Sequence, residues 1–339
     1  MWKIAGFSLQ PGEKRRVTIE IPVEEAGEEK MYPMPATLIC GCGKGKTVLI
    51  TAGIHAGEYP AIPAVIRAAG EIQPEELNGN LIFIHCVNTS GFFKRTFGLI
   101  PEDDFNLNGQ YPGKEGGTTG ERIADYFVRN FFDEIDFMMD MHSGGQQEPL
   151  TPCLFYPLAE AVTEEALAAA RALDIPWLIA STATAGQYSY AANYHKVPGL
   201  LVERGYGGFC KKEWVDAYYR DIFLLLKHLE MYGDVETEEQ VCKKTVVPRT
   251  IYLTSDTKGI WHTDLHENME VARGELLGYC MDFYGEVIKK YYAEEDGVVF
   301  YYNTGLSVKE IKVKDISIVE VIFNQKLLCL LLKLKVQCL

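Results

Sequence analysis

Three segments of this chain end an apolar run with a residue suited to metal or proton chemistry. In "TVLITAGIHAGEYPAIPAV" (Thr47–Val65), the run Val48–Ile50 reads as a strand covered on both faces. Gly53 and Gly57 loosen the turn, and a helix follows with its prolines in or near the first turn. His55 and Glu58 fall at that junction, three residues apart, close enough to share a metal ion. In a Glu-rich chain with seven histidines one such spacing is expected by chance, and the strand leading into this pair and the glycines around it are what single it out. His142, in "DFMMDMHSGG", has a similar address at the end of the run from Phe137. A lone histidine is more often a surface or satisfied core residue than a ligand. Two strand ends that independently present ligand-type residues make the set His55, Glu58 and His142, the complement of a catalytic zinc with a position open to water. Asp140, two residues earlier, is either a partner that orients a ligand or simply a strand residue.

A third strand end, in "VPGLLVERGYGG", presents Glu203. By itself it is as readily a solvated loop carboxylate; beside a zinc site it becomes the natural general base. The segment "NTSGFFKRTFGLIPEDDFNLNGQYPG" is a long loop of the kind that often carries function. Arg95 within it could stabilise an oxyanion, or be an exposed loop arginine. Asn106 and Asn108 read first as turn or cap residues.

These groups need a scaffold, and the chain is long enough for one. Its 339 residues suit a large domain plus a smaller one, with 47% apolar and 24% charged residues, ordinary for globular proteins. The formal charge of −14, with no basic stripe, argues against a nucleic-acid partner. The N-terminus lacks an apolar signal core, and the longest apolar run is too short for a bilayer, so a cytoplasmic location without a membrane partner is expected. Nine scattered cysteines without a Cys-x-x-Cys read as reduced thiols.

Strand-length runs near Thr37, Val48, Leu81, Phe137, Cys153, Trp177 and Gly199 alternate with helical patterns. They predict an α/β fold with a mixed central sheet flanked by helices over residues 1–240. Thr118 and Glu121 have capping-box spacing ahead of Ile123, Ala124, Phe127 and Phe131. "EEALAAARAL" predicts a second helix, and Glu213–Met231 a third, with Gly233 as its C′ residue. After "GDVETEEQVCKK" the texture turns to short β-prone runs, predicting a smaller all-β domain over 241–339.

Taken together, "GIHAGEYPA", "DFNLNGQYPG", "DMHSGG" and "LLVERG" resemble the succinylglutamate desuccinylase/aspartoacylase family, a branch of the zinc carboxypeptidase-like fold. The resemblance spans roughly Gly6 to Ser307, the C-terminal β segments included. It implies one zinc ion per chain on His55, Glu58 and His142, with Glu203 as general base. It further implies Arg95 at the carbonyl or oxyanion and Asn108 holding substrate. Two features depart from the pattern. Gly109 stands where the family loop has an arginine, and Arg204 is a poor substitute because neighbouring strand residues face opposite ways. The tail after about residue 307 keeps one alternating, strand-like stretch but ends in a leucine-rich run that reads as an altered terminus.

The expected activity is hydrolysis of an amide bond in a small N-acyl amino acid or related compound, with a small-molecule substrate as partner and a homo-oligomer left open. The competing readings are a zinc carboxypeptidase-type peptidase and a non-catalytic zinc-binding module.

Overall fold

The structure is a computed structural model that describes residues 1–25, 27–233, 242–308 and 317–323. Two compact units divide the chain, Met1–Gln146 with Cys153–Lys244, and Gln147–Pro152 with Thr245–Leu339. The segment Gln147–Pro152, which sequence places in the first unit, belongs to the second, where the Thr151 N–H donates to the Phe300 carbonyl at 2.7 Å. The boundary expected at residue 240 falls within 234–241, outside the described residues.

The first unit is a mixed sheet flanked by helices. Its strands are β1 (Glu13–Glu25), β2 (Glu28–Cys40), β3 (Gly43–Ala52), β4 (Asn78–Ile84), β5 (Phe137–His142), β6 (Cys153–Pro157), β7 (Trp177–Ser181) and β8 (Gly199–Glu203), lying in the order β7-β6-β8-β5-β3-β4-β2-β1. The four central strands β8, β5, β3 and β4 run parallel, whereas β6 and β2 run antiparallel to them. All of β5 and the second half of β3 are buried. Strands covered on both faces must be apolar throughout, which is why they show in sequence as continuous runs rather than alternation.

The helices are α1 (Ala61–Glu71), α2 (Thr89–Lys94), α3 (Thr119–Phe127), α4 (Thr163–Ala172), α5 (Gln187–His195) and α6 (Lys212–His228). Helix α1 packs on α6 and on β3 and β4, and α5 packs on β5, β6 and β8. Phe127, Phe131 and Phe132 bury their rings in a core shared with Leu49, Ile82 and Met138. Helix α3 starts as predicted: the Glu121 N–H donates to the Thr118 side chain, and the Thr118 N–H donates to the Glu121 carboxylate at 2.8 Å. At the end of α6 the expectation fails. The helix stops at His228, and Glu230, at φ 57°, takes the left-handed conformation assigned to Gly233.

Sequence reading also missed most of the long hairpin β1–β2, because Pro22, Pro33 and Pro35 look like strand breakers. The prolines are tolerated for a positional reason. Strand β4 pairs with β2 only from Ala36 to Cys40, so Pro33 and Pro35 lie beyond the stretch where amides must donate to both sides.

The second unit is all-β, with two four-stranded antiparallel sheets. Its core gathers Trp261, Leu277, Cys280, Tyr291 and Val299. The alternating stretch of the tail supplies the strand Ser317–Phe323, while its leucine-rich end lies outside the described residues. Among the described residues, no helix is long and apolar enough to cross a membrane.

Losing the Thr118 cap leaves a helix N–H unpaired, so Thr118→Ala should lower stability by about 1 kcal/mol. Urea unfolding curves on both proteins measure that difference.

Candidate metal centre

Strand β3 ends at Ala52, and Gly53, at φ 66°, turns the chain toward His55. At Gly57 the ligand loop meets its neighbour: a Cβ there would stand 2.3 Å from the Phe97 ring, and the Gly57 N–H donates to the Phe97 carbonyl at 2.9 Å. Only glycine permits that approach. The turn delivers Glu58 into the interior, 5% exposed, between two imidazoles. His55 Nδ1 lies 2.8 Å from Glu58 Oε1, and His142 Nδ1 lies 3.1 Å from Glu58 Oε2, which also accepts the Ser143 N–H at 2.9 Å. The two rings meet edge to face, 4.9 Å apart.

Each imidazole is held from behind. His55 Nε2 is 2.9 Å from Asn106 Oδ1, and His142 Nε2 is 3.2 Å from Asp140 Oδ2. Asp140 is fully buried, and its other oxygen accepts the Thr51 hydroxyl at 2.8 Å. Both histidines therefore turn Nδ1 toward Glu58 with a side-chain oxygen close to Nε2, although only His55 has that oxygen at hydrogen-bonding geometry. Candidate ligand atoms of His55, Glu58 and His142 all lie within 4.8 Å of one another. Burial pushes the Glu58 carboxyl upward, but the charges and hydrogen bonds of His55 and His142 outweigh it and hold the group at about 2. Burial works against a charged His142 as well, yet Asp140 and Glu58 raise it well above the usual histidine range. The pocket thus attracts positive charge to its centre. A borderline-soft divalent cation fits a donor set of two ring nitrogens and a carboxylate oxygen.

Glu203 closes β8, and β8 runs parallel to β5 with Glu203 in register with His142. Paired residues on adjacent strands share a face of the sheet, so Glu203 stands beside His142 on the face that also carries Asp140. Arg204 turns to the opposite face, as the alternation requires. There its guanidinium holds Asp221 of α6 through two contacts of 2.6 and 3.0 Å and donates to the Asp174 carbonyl at 2.8 Å. That buried pair occupies Arg204 fully, so it does not replace the cation missing at Gly109.

The loop residues meet different ends. Arg95 caps α2 in the left-handed conformation, exposed, on the wall of a groove with Tyr59, Phe92 and Phe93, and has no ion-pair partner among the described residues. Asn108 uses its side-chain oxygen to accept the Gln187 N–H at the start of α5, at 2.7 Å. Gly109 is exposed, and a Cβ on it would meet nothing within 4 Å. Asn106, read as a turn former, does accept the Asn108 N–H at 2.9 Å, but the same oxygen also faces His55. Its proximity to a ligand had no signal in sequence. Neither did Tyr218 of α6, whose hydroxyl reaches the backbone beside both His142 and Glu203.

Comparison with known proteins places the chain among relatives of one family. A curated relative, the N-alpha-acetyl-L-2,4-diaminobutyric acid deacetylase of Halomonas elongata, is 28% identical over 270 residues, covering 76% of this chain and 77% of its own. Among solved structures, the ectoine utilisation protein EutE (DoeB) from Ruegeria pomeroyi, in a product-bound form, superposes with a TM-score of 0.81 at 23% identity, over 94% of this chain and 98% of its own. The succinylglutamate desuccinylase/aspartoacylase from Rhodobacter sphaeroides does so with a TM-score of 0.79 at 22% identity, over the same shares of the two chains. The family profile described as the succinylglutamate desuccinylase/aspartoacylase catalytic domain matches residues 44–229, a span that holds all three candidate ligands and Glu203. With more than half its length inside that profile, the chain belongs to the succinylglutamate desuccinylase/aspartoacylase family.

Proposed function

We propose that this protein is a zinc-dependent hydrolase that cleaves the amide bond of a small N-acyl amino acid. The observation that carries this reading is the meeting of His55 Nδ1 and His142 Nδ1 on the buried Glu58, with Glu203 in register beside His142. His55, Glu58 and His142 would hold one zinc ion, which supplies Lewis acidity by polarising a carbonyl and lowering a water's pKa to roughly 7. Glu203 takes the proton of the attacking water and returns it to the departing amine. Arg95, a cation without an ion-pair partner among the described residues, lies on the loop that packs against Gly57 and is assigned to the carbonyl oxygen as charge develops there. Asn106 and Asp140 hold the imidazoles in the orientation that aims Nδ1 inward, while Asn108 shapes the substrate side through its hold on α5.

The Halomonas relative is a deacetylase of an N-acetylated amino acid, which names the compound class to assay first. Gly109 leaves open space where a longer side chain would stand, which suits a substrate that does not depend on a cation there. A cytoplasmic location is part of the same reading, supported by the free state of every cysteine among the described residues.

Four outcomes test the reading. Glu203→Gln should retain one zinc per chain, measured by elemental analysis, while kcat on N-acetyl amino acids falls by about 10²–10⁴; an unaffected kcat would remove Glu203 from the mechanism. Dialysis against a chelator should abolish hydrolysis, and zinc added back should restore it. Peptides trimmed from one end, with N-acyl amino acids untouched, would favour the peptidase instead. Asn106→Ala frees His55 Nε2 and should weaken zinc binding by about 10–100-fold with the fold intact by circular dichroism.

A further inference from the structure

Helix α6 reaches the metal centre from the opposite face of the sheet through Tyr218, which is fully buried. Its hydroxyl accepts the Arg204 N–H at 2.7 Å and donates to the His142 carbonyl, with the Arg204 carbonyl 3.1 Å away. It sits where the ladder between β5 and β8 opens. The direct bond from the Arg204 N–H to the His142 carbonyl is stretched to 3.4 Å, and one step on, the Gly144 N–H meets the Gly205 carbonyl at 2.9 Å. One side-chain hydroxyl thus bridges the backbone of a candidate ligand and the backbone next to the candidate base. Three residues along α6, Asp221 grips the Arg204 side chain, so the helix holds that strand end by backbone and side chain together.

We infer that Tyr218 is a positioning residue that sets the separation of His142 and Glu203. This rests on the reading of His142 as ligand and Glu203 as base. Were the hydroxyl absent, the His142 carbonyl and the Arg204 N–H would be left to a poor direct bond, and the two strand ends would relax toward each other or apart. Side chains at their ends would move with them. Displacements of that kind cost a metal site affinity and a reaction rate, because both depend on placement to a fraction of an ångström.

The test is Tyr218→Phe in the full chain. Its zinc affinity, read without substrate by competition with a chromophoric chelator, should weaken by about tenfold or more. On N-acetyl amino acids kcat should fall by a similar factor while KM stays within about twofold, the pattern of an interaction that serves the transition state. A variant that is merely less heat-stable, with wild-type zinc affinity and kcat, overturns the proposal. A second variant keeps it testable should Tyr218→Phe not fold. Arg204→Met combined with Asp221→Leu removes the buried ion pair but keeps the hydroxyl, and such apolar exchanges are often near neutral for stability. Zinc affinity close to wild type in that double variant supports the hydroxyl as the positioning element, and a tenfold loss there assigns the effect to general packing of α6 and overturns it. Because zinc affinity is read without turnover, a wild-type protein that binds zinc yet hydrolyses no N-acyl amino acid would sink the deacylase reading alone, and unchanged affinity in Tyr218→Phe would sink this one alone.

Discussion

A carboxylate buried in a protein interior has to be compensated, and Glu58 is the group around which the rest of the site is arranged. Its loss of hydration is repaid by one imidazole on each oxygen and by the Ser143 N–H. That demand constrains the sheet. His55 and Glu58 follow the end of β3 and His142 ends β5, so the two strands must be neighbours and must run the same way. They are, in a parallel pair that reaches Ala52 opposite Met141. The surrounding negative charge, from Asp140 behind His142 and from Glu58 itself, then makes the centre a place for a cation.

The parity of one strand divides the remaining work. Glu203 and Arg204 are consecutive, so one side chain joins the face of His142 and Asp140 and the other goes to α6. The carboxylate stands in register with His142, while the guanidinium is spent on the buried pair with Asp221. The same two-residue repeat sets Asp140 on the face of His142, which lets it support the ring from below. A shift of one residue in the β5–β8 register would exchange these roles entirely.

The loops border a centre that the sheet has already built. Asn106 serves two partners with one oxygen, Asn108 is anchored to α5, and Gly109 leaves space. Arg95 and the aromatic wall of its groove are the exposed part of this layer. Family membership accounts for the common frame, and Gly109 in these loops is where this chain departs from the family pattern.

Much of this was legible in the chain itself, for physical reasons. Strands covered on both faces must be apolar runs, so β3, β5 and β8 stood out, and costly polar residues at their ends marked His55, Glu58, His142 and Glu203. The cap of α3 was readable because Thr118 and Glu121 interact across three residues. What sequence could not carry depended on partners far away in the chain. The β1–β2 hairpin hides behind prolines that are harmless only because β4 is short beside them. Asn106 finds His55 across 51 residues, and Tyr218 finds His142 across 76. By itself the sequence determined which residues could bind a metal and on which strand ends they would sit, since local patterns of burial and spacing encode that. Only the tertiary structure decided which nitrogen of each imidazole faces Glu58, that Arg204 is spent on Asp221, and that the Tyr218 hydroxyl bridges the ends of two strands, because strand order, register and side-chain parity arise from contacts that no short segment contains.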